Sequence, residues 1–172
     1  MACEILKGRT LSCKDSRTGI KYVDFAVYDG TTYTVANQEI ATLPVALTEV
    51  FRYEVKGAGN SLIETATVNT DNRTTEIVQA LALNLQKLGK ETEVELQSLL
   101  YGRVVAFVTD YNGNVKVVGI DSGMDATTSV MSTEVSGYTV ALEAKDKVFA
   151  PFLSSSAKTA LLALISNDVV TP

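Results

Sequence analysis

Apolar and polar positions alternate with period two along most of the chain, which predicts a domain built mainly from strands. The most regular stretch runs from Arg103 to Asp121, RVVAFVTDYNGNVKVVGID. Two runs of β-branched and aromatic residues flank Tyr111-Asn112-Gly113-Asn114, and Asn-Gly supplies the two positive φ angles of a tight hairpin turn. Val104, Ala106 and Val108 alternate with Val105, Phe107 and Thr109. Both faces are therefore largely apolar, and both are expected to be covered.

Upstream, residues 2–8 predict a short strand and Cys13 to Gly19 a polar turn. From Ile20 to Tyr28 the apolar face shifts near Val23, as a β-bulge or bend would make it do. Asp29-Gly30 predicts a turn, with Thr31 to Val35 paired back on the preceding strand. Ala36 to Pro44 reads as a loop. In Val50 to Lys56, Phe51, Tyr53 and Val55 face one way, and Arg52, Glu54 and Lys56 form a solvated face. Two further strands are expected over Ala126 to Met131 and Tyr138 to Ala144.

Ser61 to Thr70 and Thr75 to Leu88 form two long extended runs around Asp71-Asn72-Arg73. Leu81, Leu83 and Leu85 share a face opposite Ala80, Ala82, Asn84 and Gln86. The pair looks longer than a small core needs. It reads either as a projecting arm or neighbour-completed segment, since uncovered edges invite pairing, or as two ordinary core strands with a polar loop.

The helix period is clearest in Lys90 to Tyr101. Thr92 and Glu95 have capping-box spacing, Glu91 and Glu93 place negative charge at the positive end, and Gly102 stops the helix. Val94, Leu96, Leu99 and Leu100 supply a packing stripe. Helix-end electrostatics explain the three glutamates without a metal. A serine-capped helix is also expected from Ala157 to Ile165, its apolar side docking on this domain, a neighbouring copy or another protein.

Composition narrows the function classes. The chain has 172 residues, 46% hydrophobic and 20% charged, which suits one folded domain. Its formal charge of -5 argues against a nucleic-acid docking surface, though not against a surface that DNA merely passes. There is no histidine, which removes Ser-His and Cys-His nucleophiles and the commonest transition-metal ligand. Cys3 and Cys13 are expected to be free thiols. No signal-peptide pattern opens the chain, and no apolar run is long enough to predict a membrane-spanning helix. Asp110, Asp121 and Asp125 lack EF-hand spacing, and Asp110 reads as a turn residue. No phosphate loop, CxxC or GxSxG occurs. The sequence thus assigns no catalytic residue, no cofactor and no metal ligand, and the chain is not expected to be an enzyme. An enzyme working through carboxylates would need a deep pocket lined by acids.

A collinear set of short motifs carries a family resemblance. It comprises Cys13-Lys14-Asp15-Ser16 with Gly19-Ile20-Lys21, then Phe51-Arg52-Tyr53-Glu54-Val55-Lys56-Gly57 with Asn60-Ser61. Leu83-Asn84-Leu85-Gln86-Lys87-Leu88 with Lys90-Glu91-Thr92 and Asp110-Tyr111-Asn112-Gly113-Asn114 follow. Ser136-Gly137-Tyr138-Thr139-Val140 and Ala150-Pro151-Phe152-Leu153 close the set. In this order the chain resembles virion structural proteins of tailed bacteriophages infecting Bacteroidetes, including the crAss-like group. Thr18 stands where that pattern has a second glycine, and residues 154–172 extend past it.

The resemblance implies a mainly β (α+β) fold. It would be a β-sandwich or rolled-sheet tail-tube-like domain with one packed helix and a long hairpin arm over residues 1–153, and a C-terminal helical tail over 154–172. It also implies a structural subunit of a homo-oligomeric ring or tube, a hexamer or dodecamer, in the tail or head-tail junction of the virion. Such a ring would be assembled in the host cytoplasm beside other tail or connector proteins, with DNA only as cargo in the lumen. The intersubunit contacts expected on this basis are Leu62, Glu64, Ala66, Val68, Asp71, Asn72, Arg73, Ile77, Gln79, Leu81, Leu161 and Leu164. The alternative is a capsid-decorating or host-receptor-binding β-domain of the virion.

Overall fold

In a computed structural model of the chain, residues 8, 9, 14, 16–56 and 59–168 are described. Cys3, Cys13 and the expected strand of residues 2–8, but for Gly8, lie outside them. The element order is β1 (Ile20–Val27), β2 (Val35–Ala36), β3 (Glu39–Ile40), β4 (Phe51–Glu54), β5 (Ser61–Asn69), β6 (Thr74–Gln86) and α1 (Lys90–Tyr101). It continues with β7 (Val104–Asp110), β8 (Val115–Val118), β9 (Asp125–Ser132), β10 (Gly137–Asp146), β11 (Phe152–Leu153) and α2 (Ser155–Ala163). The fold is mainly β. One sheet has the order β2-β3-β11-β8-β7-β1-β4, and the other β5-β6-β10-β9.

The two sheets share one core. Val23, Phe25, Val104, Ala106 and Val108 of the larger sheet meet Leu81, Leu83, Val140 and Leu142 of the smaller one, with Leu96 and Leu99 of α1 against them. The leucine face of β6 is set by antiparallel register, Leu81 opposite Leu142 and Leu83 opposite Val140. Residues of the other parity in β7, Val105 and Phe107, enter a second core with Val117, Ala157 and Leu161. Both faces of β7 are covered, as its two-sided apolar pattern requires.

Several local expectations change. Only Gly113 takes a positive φ in the β7–β8 turn (81°), not Asn112 as well. Asp110 Oδ1 accepts from the N–H groups of Asn112 and Asn114, both at 2.8 Å, and so builds a longer turn than a two-residue hairpin. Burial works against ionisation of Asp110, but these bonds outweigh it and hold the carboxyl below its usual range. Thr31 to Tyr33 does not pair back on β1: Asp29 Oδ1 accepts from Thr31 N–H at 2.9 Å, and the hairpin comes later, between β2 and β3. Its turn sits at Asn37 and Gln38, with φ of 51° and 61°, a pair that no glycine signals. The register shift of β1 falls between Ile20 and Tyr22 rather than at Val23.

The charged face of β4 is not simply solvated. Arg52 reaches Asp24, which is fully buried on β1, with Nε–Oδ1 2.6 Å and Nη2–Oδ2 2.8 Å. The guanidinium lies 3.7 Å from the Tyr22 ring centroid. On the other side Tyr53 meets Phe25 edge to face, centroids 5.2 Å apart.

Helix α1 has the expected bounds, but Thr92 and Glu95 form no capping box. The N-cap is Gly89, which has no side chain to offer. Tyr138, buried on β10, takes over that end: its Oη accepts from Gly89 N–H at 3.1 Å and donates to Glu93 Oε1 at 3.0 Å. Of the predicted stripe Leu96 and Leu99 are buried, whereas Val94 and Leu100 are exposed.

Helix α2 docks on this domain. Ala157 and Leu161 pack with Ala26, Ile40, Val50 and Phe107, so the extension expected from residue 154 is continuous with the core as far as the second cluster reaches. Ser154 Oγ accepts from Ala157 N–H at 3.1 Å and also lies 3.0 Å from Ala41 O. Ser154→Ala is therefore expected to cost about 1–2 kcal/mol, read as a lower urea midpoint with an unchanged slope.

Candidate assembly surface

The smaller sheet is all antiparallel and ends in β5 on one side and β9 on the other. Among the described residues neither strand has a partner on its outer side. Strand β5 pairs with β6 from Ser61–Ala82 to Asn69–Thr74. Strand β10 stops sooner, its last rung joining Asp146 to Ile77. Beyond that rung the hairpin is a two-stranded ribbon projecting on the order of 10 Å. Every residue from Thr65 to Glu76 is exposed. Asn69 Oδ1 accepts from Asp71 N–H and Asn72 N–H, both at 3.0 Å, and Arg73 adopts φ 55°, which closes the tip.

The expected contact residues divide by their position along the hairpin. Ala66, Val68, Asp71, Asn72 and Arg73 are exposed along the ribbon. Leu62 is half-buried against the inter-sheet core. Glu64 is tied down within the subunit, accepting from Lys116 Nζ at 2.5 Å and Ala150 N–H at 2.7 Å. Ile77, Gln79 and Leu81 point between the sheets and Leu161 into the second core, all buried. Those four are corrections, because a side chain enclosed by its own subunit does not reach a neighbour. Leu164 also packs against that second core.

What the sequence reading passed over is the opposite parity and the other edge. Ile63, 58% exposed, lies on the outer face of β5, and Val130, 57% exposed, on the same face of β9. Met131 and Val135 are exposed beside Val130. Ile63 pairs with Ala80, which faces out because Leu81 faces in. The leucine parity of β6, projected across the hairpin, was the signal that could have found it.

The outer face of this sheet is otherwise small and weakly charged. Ser61, Thr65, Ala82, Thr128, Thr139 and Ala141 occupy it, with Glu76, Asp125 and Glu143 against Lys145. Lys145 Nζ lies 3.4 Å from Glu76. Nothing there clusters Lys and Arg as phosphate binding requires.

Two shallow grooves of about 450 and 460 Å³ meet at Asn114 and Phe152, and polar side chains such as Glu39, Lys158, Glu64 and Lys116 line them. Among the described residues no group of three or more His, Cys, Asp and Glu could hold a metal ion, and no helix is long and apolar enough to cross a membrane. The chain matches no family model, no curated protein and no solved structure.

Proposed function

We propose that this chain is a structural subunit of a homo-oligomeric ring or tube in a tailed-phage virion, through which the genome passes. The observation that carries the reading is the pair of unpaired edges on one antiparallel sheet. Strand β5 runs parallel to β10 and therefore antiparallel to β9. Copies related by rotation about an axis along the strands would bring β9 of one copy beside β5 of the next in antiparallel order. Such head-to-tail contacts generate closed rings. Setting Ile63 against Val130 also aligns Leu62 with Met131 and Thr65 with Thr128, keeping each parity on its own face.

In that arrangement the outer face of the four-stranded sheet can line the lumen. Its weak, slightly acidic character favours passage of DNA over its retention. The larger sheet and α2 form the outer layer. The ribbon of residues 66–76 reaches past the sheet to a neighbouring copy, which supplies the contacts that a free two-stranded hairpin lacks.

Deleting residues 69–75 tests the role of the ribbon. These residues touch none of the core, so the variant is expected to remain folded as a monomer and lose assembly. Normal rings from the deletion variant would overturn that role. Discrete particles bound to capsids or host cells would favour the decorating or receptor-binding domain instead.

A further inference from the structure

The root of the ribbon holds a polar cluster that sheet packing alone does not require. Gln79 on β6 and Asp146 at the end of β10 both point between the sheets, 0% and 4% exposed. Gly119 N–H donates to Gln79 Oε1 at 3.0 Å. That bond fixes the amide, so its Nε2 is turned to the other side. Neither Nε2 nor either carboxylate oxygen of Asp146 has a hydrogen-bond partner of adequate geometry.

The charges around Asp146 make this worse. Asp121, from the segment after β8, and Glu64, from β5, both repel a negative charge there. Lys116, on β8, is committed to Glu64. Lys145, the residue before it, reaches Glu76 on the opposite face of the sheet. Burial first and Asp121 second push the Asp146 carboxyl above its usual range, and the Asp121 backbone and the Gln79 amide offset only part of that. A buried carboxylate in this position must take up a proton or draw water in.

We propose that Asp146 is a proton-operated latch at the root of the ribbon. With the proton bound, the seam between the sheets closes on Gln79, and the ribbon is held firmly on the last rungs of β6 and β10. With the proton lost, the uncompensated charge loosens those rungs and lets the ribbon swing. Location confines the effect: Asp146 opposes Ile77 on the final β10 rung, so the rest of the sheet stays closed. The sign follows from the upward displacement of the folded-state value. The stabilisation is fully present below the ordinary carboxylate pKa and disappears as pH rises through the raised value. Acid tightens the root.

The test is amide hydrogen exchange of the full chain, corrected for intrinsic rate, at residues 76–80 and 143–147, together with ¹³C titration of the Asp146 carboxyl. Wild type is expected to lose about tenfold protection at the root as pH rises from the ordinary carboxylate range through the raised value, while Asp146→Asn keeps high, flat protection. The Asp146 carboxyl is expected to titrate above the usual carboxylate range. Identical pH profiles in the two proteins, or a carboxyl titrating within or below that range, would overturn the proposal. The titration needs only wild type, so it decides the matter even if the variant folds poorly.

Discussion

Arg52→Ala is expected to lower the stability of the domain by roughly 3 kcal/mol, one of the largest single losses on the side of the domain away from the four-stranded sheet. Asp24 is fully buried on β1, and Arg52 contacts both of its carboxylate oxygens. Truncating the arginine strands a buried charge, which costs far more than the net worth of the pair. The residual 21% exposure of the Arg52 side chain places the loss at the lower end of the range of ~3–5 kcal/mol for buried pairs. The stack on Tyr22 is lost as well. Removing both charges with Asp24→Val and Arg52→Met should recover most of the stability, because no charge is then left without a partner. Urea unfolding of wild type, Asp24→Val, Arg52→Met and the double variant gives the coupling directly. A loss under about 1 kcal/mol in Arg52→Ala would mean that water reaches Asp24 and that the pair behaves as a surface one.

The second large effect concerns assembly rather than stability. Ile63→Lys combined with Val130→Lys is expected to abolish ring formation while leaving the monomer folded, since both side chains are more than half exposed. The double variant replaces an apolar cross-strand pair by two like charges, a penalty of about 0.5–1 kcal/mol at each joint beyond the lost burial. A closed ring repeats that penalty at every joint. Ile63→Lys with Val130→Glu should restore assembly, and should do so less well at high salt. Gel filtration of the wild type and the two variants reads this out. Rescue by the opposite-charge pair fixes the register as well as the edges. Unaltered assembly of the lysine pair would remove β5 and β9 from the joint.

The longer strands, the long hairpin and both helices were legible in the sequence, because alternation and helix-end chemistry act over a few residues; the two-residue strands β2, β3 and β11 were not. The burial of β7 on both faces followed from apolar residues at both parities. Features that depend on distant partners were not legible. Asp24 in an apolar strand looks like a phase error until Arg52, three strands of sequence later, is placed beside it. The start of α1 looks like a capping box until Tyr138 arrives from β10 to hold Gly89 and Glu93. The β2–β3 turn is built on Asn37 and Gln38 with positive φ, where turn chemistry would have asked for glycine.

The candidate surface shows the same division in one hairpin. Leu62, Glu64, Ala66 and Val68 share a parity, and sequence alone treats them alike. At the base that parity faces the second sheet, where Leu62 packs and Glu64 binds Lys116. From the last β10 rung outward, where Ala66 pairs with Ile77, Ala66 and Val68 are exposed without any change of pattern. Where an arm leaves its sheet is set by the length of the neighbouring strand. The hairpin's own residues do not encode it.

The central claim is that copies of this chain join edge to edge into a closed ring. Negative-stain electron microscopy of the purified protein over a rising concentration series, with solution mass measured in parallel, tests it most directly. The account predicts annular particles with a central hole and a mass that is a high multiple of the 18.4 kDa chain. A monomer mass at every concentration with no annular particles, or a twofold dimer that grows no further, would contradict it.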